Sequence, residues 1–164
     1  MNKIWNINLL LCREVNRNVS KIEGVFDKLV LNEKEEADFT IVTLLNSIKS
    51  DEEKFGLYYF LERVNEDKDN LLLYLCSSIN VREKNDEKKD ANLCSIEGFS
   101  HKNIVFEIEN CSFPGEGIYE IKVYKYDNDD VVKVDDNIST KDMVKYANDD
   151  HLVSVYSFEV EKNS

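Results

Sequence analysis

The sequence predicts an all-β, mainly antiparallel fold: a two-sheet β-sandwich of about eight strands with one short helix in a late insertion. Three observations predict it. Apolar side chains recur at every second position over much of the chain. Short runs rich in aromatic and β-branched residues alternate with polar clusters. No apolar repeat is long enough for an extended helix, and short strands at this spacing suit two packed sheets better than a parallel α/β fold.

The elements follow in order. Trp5, Ile7, Leu9 and Leu11 share one side of a half-buried strand, with Asn6 and Asn8 on the other. Glu14 to Asn18 is polar and reads as a turn. Val19 to Leu31 is apolar again, with Gly24 marking a bulge or bend. Asn32 to Asp38 is a charged connection. Phe39, Ile41, Thr43 and Leu45 alternate with Thr40, Val42 and Leu44, and two apolar faces predict a central, covered strand. Lys49 to Lys54 is a polar loop.

Leu57 to Val64 holds Tyr58, Tyr59 and Phe60, an aromatic density that favours a strand. The acidic turn Asn65 to Asn70 joins it to Leu71 to Ile79 as a hairpin. Arg82 to Asp90 has no apolar residue and reads as a solvated loop. Ile104, Phe106 and Ile108 alternate with Val105, Glu107 and Glu109 in a one-sided strand. Cys111 to Gly117 contains Pro114, Gly115 and Gly117 and forms a turn. In Ile118 to Tyr126, Tyr119, Ile121 and Val123 oppose Glu120 and Lys122. These two strands are the strongest hairpin expectation in the chain.

Asp127 to Asp150 interrupts the pattern. Val131, Val132 and Val134 can extend a strand, and Ser139 or Thr140 can cap a short helix over Asp142 to Ala147. Leu152 to Val160 is the last strand, with Leu152, Tyr156, Phe158 and Val160 on one side.

A chain of 164 residues fits a single domain, residues 1–164, and buries a core without disulfides or a structural metal. The formal net charge is −12, from 33 acidic against 21 basic residues. Such a surface repels nucleic-acid phosphates and anionic lipid, so no direct nucleic-acid or membrane partner is expected. It suits a basic protein partner instead. No segment is long and apolar enough to span a membrane as a helix, and Ile4 to Leu11 is a better first strand than a leader.

Cys12, Cys76, Cys94 and Cys111 lack metal-ligand spacing, and only two histidines are present. No metal site and no cofactor is therefore expected. Cys12 and Cys76 lie in apolar runs as free thiols do, which fits a reducing, cytoplasmic compartment, with a disulfide as the alternative.

Candidate chemistry is sparse. Asp127, Asp129, Asp130, Asp135, Asp136, Asp149 and Asp150 gather in the insertion, where carboxylates can converge on calcium. The EF-hand pattern fails for lack of the central glycine and distal glutamate. Asp150, His151 and Ser154 are close in sequence, but a triad is a matter of geometry, and no nucleophile elbow accompanies them. His151 is expected to begin a strand and His101 to sit in a loop. Cys111 adjoins a turn, and Glu107, Glu109 and Glu116 would raise its pKa rather than activate it. Gly115 and Gly117 precede a strand, so they form no phosphate cradle at a helix N-terminus. No enzymatic activity is expected.

Tyr124 and Tyr126 share the outward face with Glu120 and Lys122. Outward tyrosines ringed by charge make a contact patch. The expected interaction surface is therefore Glu120, Lys122, Tyr124 and Tyr126 with Asp127, Asp129, Asp130, Asp135 and Asp136.

Three segments resemble a bacterial family of uncharacterised β-sandwich proteins. They are Leu11-Cys12-Arg13 at the end of the first strand, Gly24-Val25-Phe26-Asp27, and Pro114-Gly115-x-Gly117-x-Tyr119-Glu120. The resemblance implies the sandwich fold and no activity, and the Asp127 to Asp150 insertion departs from it. The Asn-, Lys- and Asp-rich composition also resembles low-GC bacteria and their phages.

The functional expectation is a non-enzymatic protein-interaction module. In its sharper form it is a phage or mobile-element inhibitor that blocks a basic host defence protein by carboxylate mimicry of phosphates. The alternative is a small-molecule or calcium-binding β-sandwich module of a bacterial cell. Exposed edge strands also allow a homodimer by sheet-edge pairing.

Overall fold

A computed structural model describes residues 4–16, 19, 21–48, 54–64, 71–80, 93–96, 99–127 and 145–163. Among these residues strand predominates and helix is almost absent. The strands are β1 (Ile4–Cys12), β2 (Glu14–Val15), β3 (Ile22–Glu23), β4 (Lys28–Leu31), β5 (Glu36–Ile48), β6 (Lys54–Arg63), β7 (Leu71–Asn80), β8 (Leu93–Ile96), β9 (Phe99–Ser112), β10 (Gly117–Asp127) and β11 (Leu152–Lys162). All the cross-strand registers resolved are antiparallel except β4 with β11. The all-β, mainly antiparallel sandwich class holds.

The described residues gather into two compact units. The first comprises Met1–Asp51, Glu83–Glu116 and Phe158–Ser164. Its sheet has the order β1-β5-β9-β8. As the two apolar faces of the sequence require, β5 lies centrally between β1 and β9. Phe39, Thr40, Ile41, Val42 and Thr43 are all buried there. The parallel pair of β4 with the end of β11 supplies the facing layer. Leu29, Leu31, Phe158 and Val160 are its buried positions. Phe39 of β5 meets Phe158 of β11 at 6.4 Å and Phe113 at 6.2 Å, while Phe113 and Phe158 stand edge to face at 6.4 Å. This aromatic trio joins the layers by apolar burial and ring packing.

The second unit comprises Glu52–Arg82 and Gly117–Ser157. Its strands run in the order β11-β10-β6-β7. Phe55 to Leu61 of β6 is buried at every position, which requires cover on both faces. One face holds Leu57, Tyr59 and Leu61 opposite Lys125, Val123 and Ile121; the other holds Tyr58 and Phe60 opposite Tyr124 and Lys122.

Several expectations are corrected in detail. β9 and β10 are not a hairpin: β9 pairs with β5 and β8, and β10 pairs with β6. Two one-sided strands around a proline-glycine turn look the same whether the turn reverses the chain within a sheet or carries it between sheets. Here Phe113 is drawn into the Phe39 cluster, and its N–H donates to the Glu35 carbonyl at 3.0 Å. β8 and the start of β9 were missed, and His101 lies in β9 rather than a loop. The described part of the Asp142 to Ala147 stretch is a turn at Lys145–Tyr146. Among the described residues of the insertion the helical element is a 3₁₀ turn, Asp149–His151, capped by the Asn148 side chain accepting from the Asp150 N–H at 3.1 Å. The β6–β7 hairpin is as expected.

Gly24 is the bend between β3 and β4, with φ of +66°. A Cβ there would lie 3.0 Å from Arg13 Cγ. Gly24→Ala therefore meets both an unfavourable φ and a crowded neighbour. It is expected to lower stability by about 1 kcal/mol or more, read from the urea midpoint.

Candidate interaction surface

β10 places Glu120, Lys122, Tyr124 and Tyr126 on one face, as period-2 alternation demands. Their exposure differs from expectation. Tyr124 is 3% exposed and Tyr126 is 8% exposed, so neither is an outward contact residue. The cause is cover from elsewhere in the chain. Tyr58 and Phe60 lie beside them on the paired strand β6, and Tyr146, twenty positions beyond Tyr126, packs against the same cluster.

The packing is specific. Tyr146 stacks on Tyr58 with centroids 4.6 Å apart and planes 1° from parallel. Tyr126 stands edge-on to both, at 5.5 Å from Tyr58 and 5.4 Å from Tyr146. Its hydroxyl donates to the Tyr146 carbonyl at 2.8 Å, which satisfies a buried polar group. Tyr124 meets Phe60 edge to face at 5.4 Å. His151 stacks on Tyr126 at 4.1 Å, with Nδ1 3.0 Å from the Lys125 carbonyl oxygen. These are the contacts of a secondary core. His151 ends the 3₁₀ turn and directly precedes β11.

Glu120 and Lys122 form a half-buried charged border. Glu120 lies directly across from Glu62, an unfavourable like-charge pair. Lys122 offsets it, with Nζ 2.6 Å from Glu62 and 3.5 Å from Glu120. The Glu62 hydrogen bond raises the Lys122 pKa, and burial raises that of Tyr124. Both groups thus hold their protons more tightly folded than unfolded. Their contribution is complete below pH of about 10 and is lost as pH rises through the folded values. The thermal midpoint is expected to fall on that alkaline limb, and Lys122→Met is expected to flatten it.

Asp127 ends β10, and its side chain lies outside the described residues. Asp129, Asp130, Asp135 and Asp136 also lie outside them. Among the described residues no group of three or more His, Cys, Asp or Glu side chains is arranged to hold a metal. Cys111 is half-buried on β9. Desolvation, rather than the neighbouring glutamates, pushes its thiol up to about 11. Cys12 and Cys76 are raised for the same reason.

A second feature was not singled out from sequence. In the first unit an open depression of about 310 Å³ is lined by Arg13, Glu14, Asp38, Glu107 and Glu109 over Phe39 and Thr40. Asp38 is tied down, accepting the Asn110 N–H at 2.7 Å, where Asn110 takes a φ of +51°. Glu14, Glu107 and Glu109 are exposed. The Glu107/Glu109 alternation was legible in the sequence; their convergence with Arg13, Glu14 and Asp38 was not, because it depends on strand order.

A scan against protein-family models gives no match, and no curated protein matches the chain. Solved structures share the architecture. A bacterial adhesin from Mobiluncus mulieris, containing intramolecular disulfide, isopeptide and ester bond cross-links, aligns with a TM-score of 0.54 at 10% identity. That alignment covers 97% of this chain and 57% of the adhesin. A second crystal form gives 0.53 over the same shares. The chain thus spans less than two thirds of the adhesin's length. The CARDB domain of a Pyrococcus furiosus protein, solved in complex with di-metal ions, aligns over 98% of this chain and 96% of its own at 9% identity, with a TM-score of 0.43. At these identities the adhesin likeness establishes the β-sandwich class and nothing further. Among the described residues no helix is long and apolar enough to cross a membrane.

Proposed function

We propose that the protein is a non-enzymatic interaction module that engages a basic protein partner through its acidic surface. The observation that carries this reading is charge. The chain has a formal net charge of −12, and four carboxylates around a single arginine line the depression of the first unit. Such a field steers cationic surfaces toward it and turns away phosphate backbones and anionic lipid. The finer reading is an inhibitor, encoded by a phage or mobile element, that occupies the nucleic-acid-binding face of a basic host defence protein. The burial of Tyr124 and Tyr126 shifts the proposed contact from the tyrosine face to the carboxylates.

Affinity purification from host lysate at low and high salt tests the proposal. A basic protein retained at low salt and released at high salt is expected. Recovery of no basic protein, or retention indifferent to salt, would contradict it.

A further inference from the structure

The depression of the first unit is acidic but not uniformly so. Arg13 stands among Glu14, Asp38, Glu107 and Glu109. Two features seat it there. Its N–H donates to the Glu23 carbonyl at 3.1 Å, beside the Glu14–Glu23 pair that joins β2 to β3. Its stem lies on the bare backbone of Gly24, where an added Cβ would stand 3.0 Å from Arg13 Cγ and 3.1 Å from its Cβ and Cδ. Glu23, opposite Glu14, has a cation of its own, because Lys21 Nζ lies 2.6 Å from it.

A seated guanidinium is out of place on a surface that only attracts positive charge. A uniformly basic face brought against the depression meets Arg13 as a like charge, and the repulsion sharpens as water leaves the contact. A basic face that also carries a carboxylate meets complementary charge at Arg13 as well as at the glutamates. The planar fork of a guanidinium matches a carboxylate through two parallel hydrogen bonds. We infer that Arg13 is the specificity-determining residue of the acidic surface. It selects a partner whose basic face includes a carboxylate, and it does so partly by repelling a face that has none. This role rests on the depression being the contact surface proposed above.

Two synthetic pentapeptides test it, one of five lysines and one with glutamate in place of the central lysine. Each is titrated calorimetrically at low salt into the wild type and into Arg13→Met. The substitution removes the charge and keeps an apolar stem over Gly24, and Arg13 is exposed, so folding is expected to be unchanged by circular dichroism. Charge alone favours the all-lysine peptide for both proteins. The role of Arg13 requires the reverse in the wild type: the glutamate-centred peptide binds more tightly, by about threefold or more, and Arg13→Met restores the preference for lysine. A wild type that prefers the all-lysine peptide, or an order that Arg13→Met leaves unchanged, overturns the role of Arg13. Salt-sensitive binding of both peptides would in that case still support the proposed function. No binding of either peptide to the wild type contradicts both. If Arg13→Met does not fold, the order of the two peptides on the wild type decides alone.

Discussion

Phe39→Ala is expected to lower the unfolding free energy by about 3–5 kcal/mol, the usual cost of deleting a buried phenylalanine. Phe39 is 2% exposed and touches both other rings of the trio that joins the layers of the first unit. The loss combines the transfer free energy of the ring, the cavity left behind and two aromatic contacts. Phe113 and Phe158 cannot close the gap without moving β11 and the Cys111–Gly117 connection. Urea denaturation followed by circular dichroism measures the effect. A loss below about 1 kcal/mol would mean that the trio does not hold the layers together.

Tyr58→Ala is expected to cost a similar amount, about 3–5 kcal/mol, through a different cluster. Tyr58 is 1% exposed and supports both Tyr146 and Tyr126. Its removal takes the parallel stack from under Tyr146, so the aromatic near-ultraviolet signal should fall with stability. Tyr126→Phe is the contrasting case. It keeps the ring contacts and deletes only the hydroxyl donor to the Tyr146 carbonyl, so a loss of about 1–2 kcal/mol is expected. Equal losses from the two substitutions would place the stabilisation in the hydrogen bond rather than the rings.

These clusters show what a sequence of this kind discloses. β1, β5 and β11 were legible because period-2 alternation is a local property, and one or two apolar faces distinguish an edge-like from a central strand. The face shared by Glu120, Lys122, Tyr124 and Tyr126 was legible for the same reason. Its exposure was not. Whether a tyrosine on the far face meets solvent depends on what lies over it, and the cover here is Tyr146 and Ala147, reached only late in the insertion. The pairing of β9 was hidden for a related reason. Pro114 and Gly115 specify a turn, while the choice between hairpin and crossover depends on whether Phe113 finds a better burial site among Phe39 and Phe158. The acidic depression depends on three separate segments meeting, and no spacing encodes that.

The binding reading depends on charge more than shape, and the carboxylates of the depression can be inverted without touching a core. Glu14, Glu107 and Glu109 are exposed, so Glu14→Lys, Glu107→Lys and Glu109→Lys together should leave folding unchanged. The decisive measurement is a calorimetric titration of the captured basic partner into the wild-type and charge-inverted proteins over a series of salt concentrations. The account predicts affinity that falls steadily with salt for the wild type and is weaker by about tenfold or more at low salt after inversion. Equal affinity for both proteins at every salt concentration would contradict it.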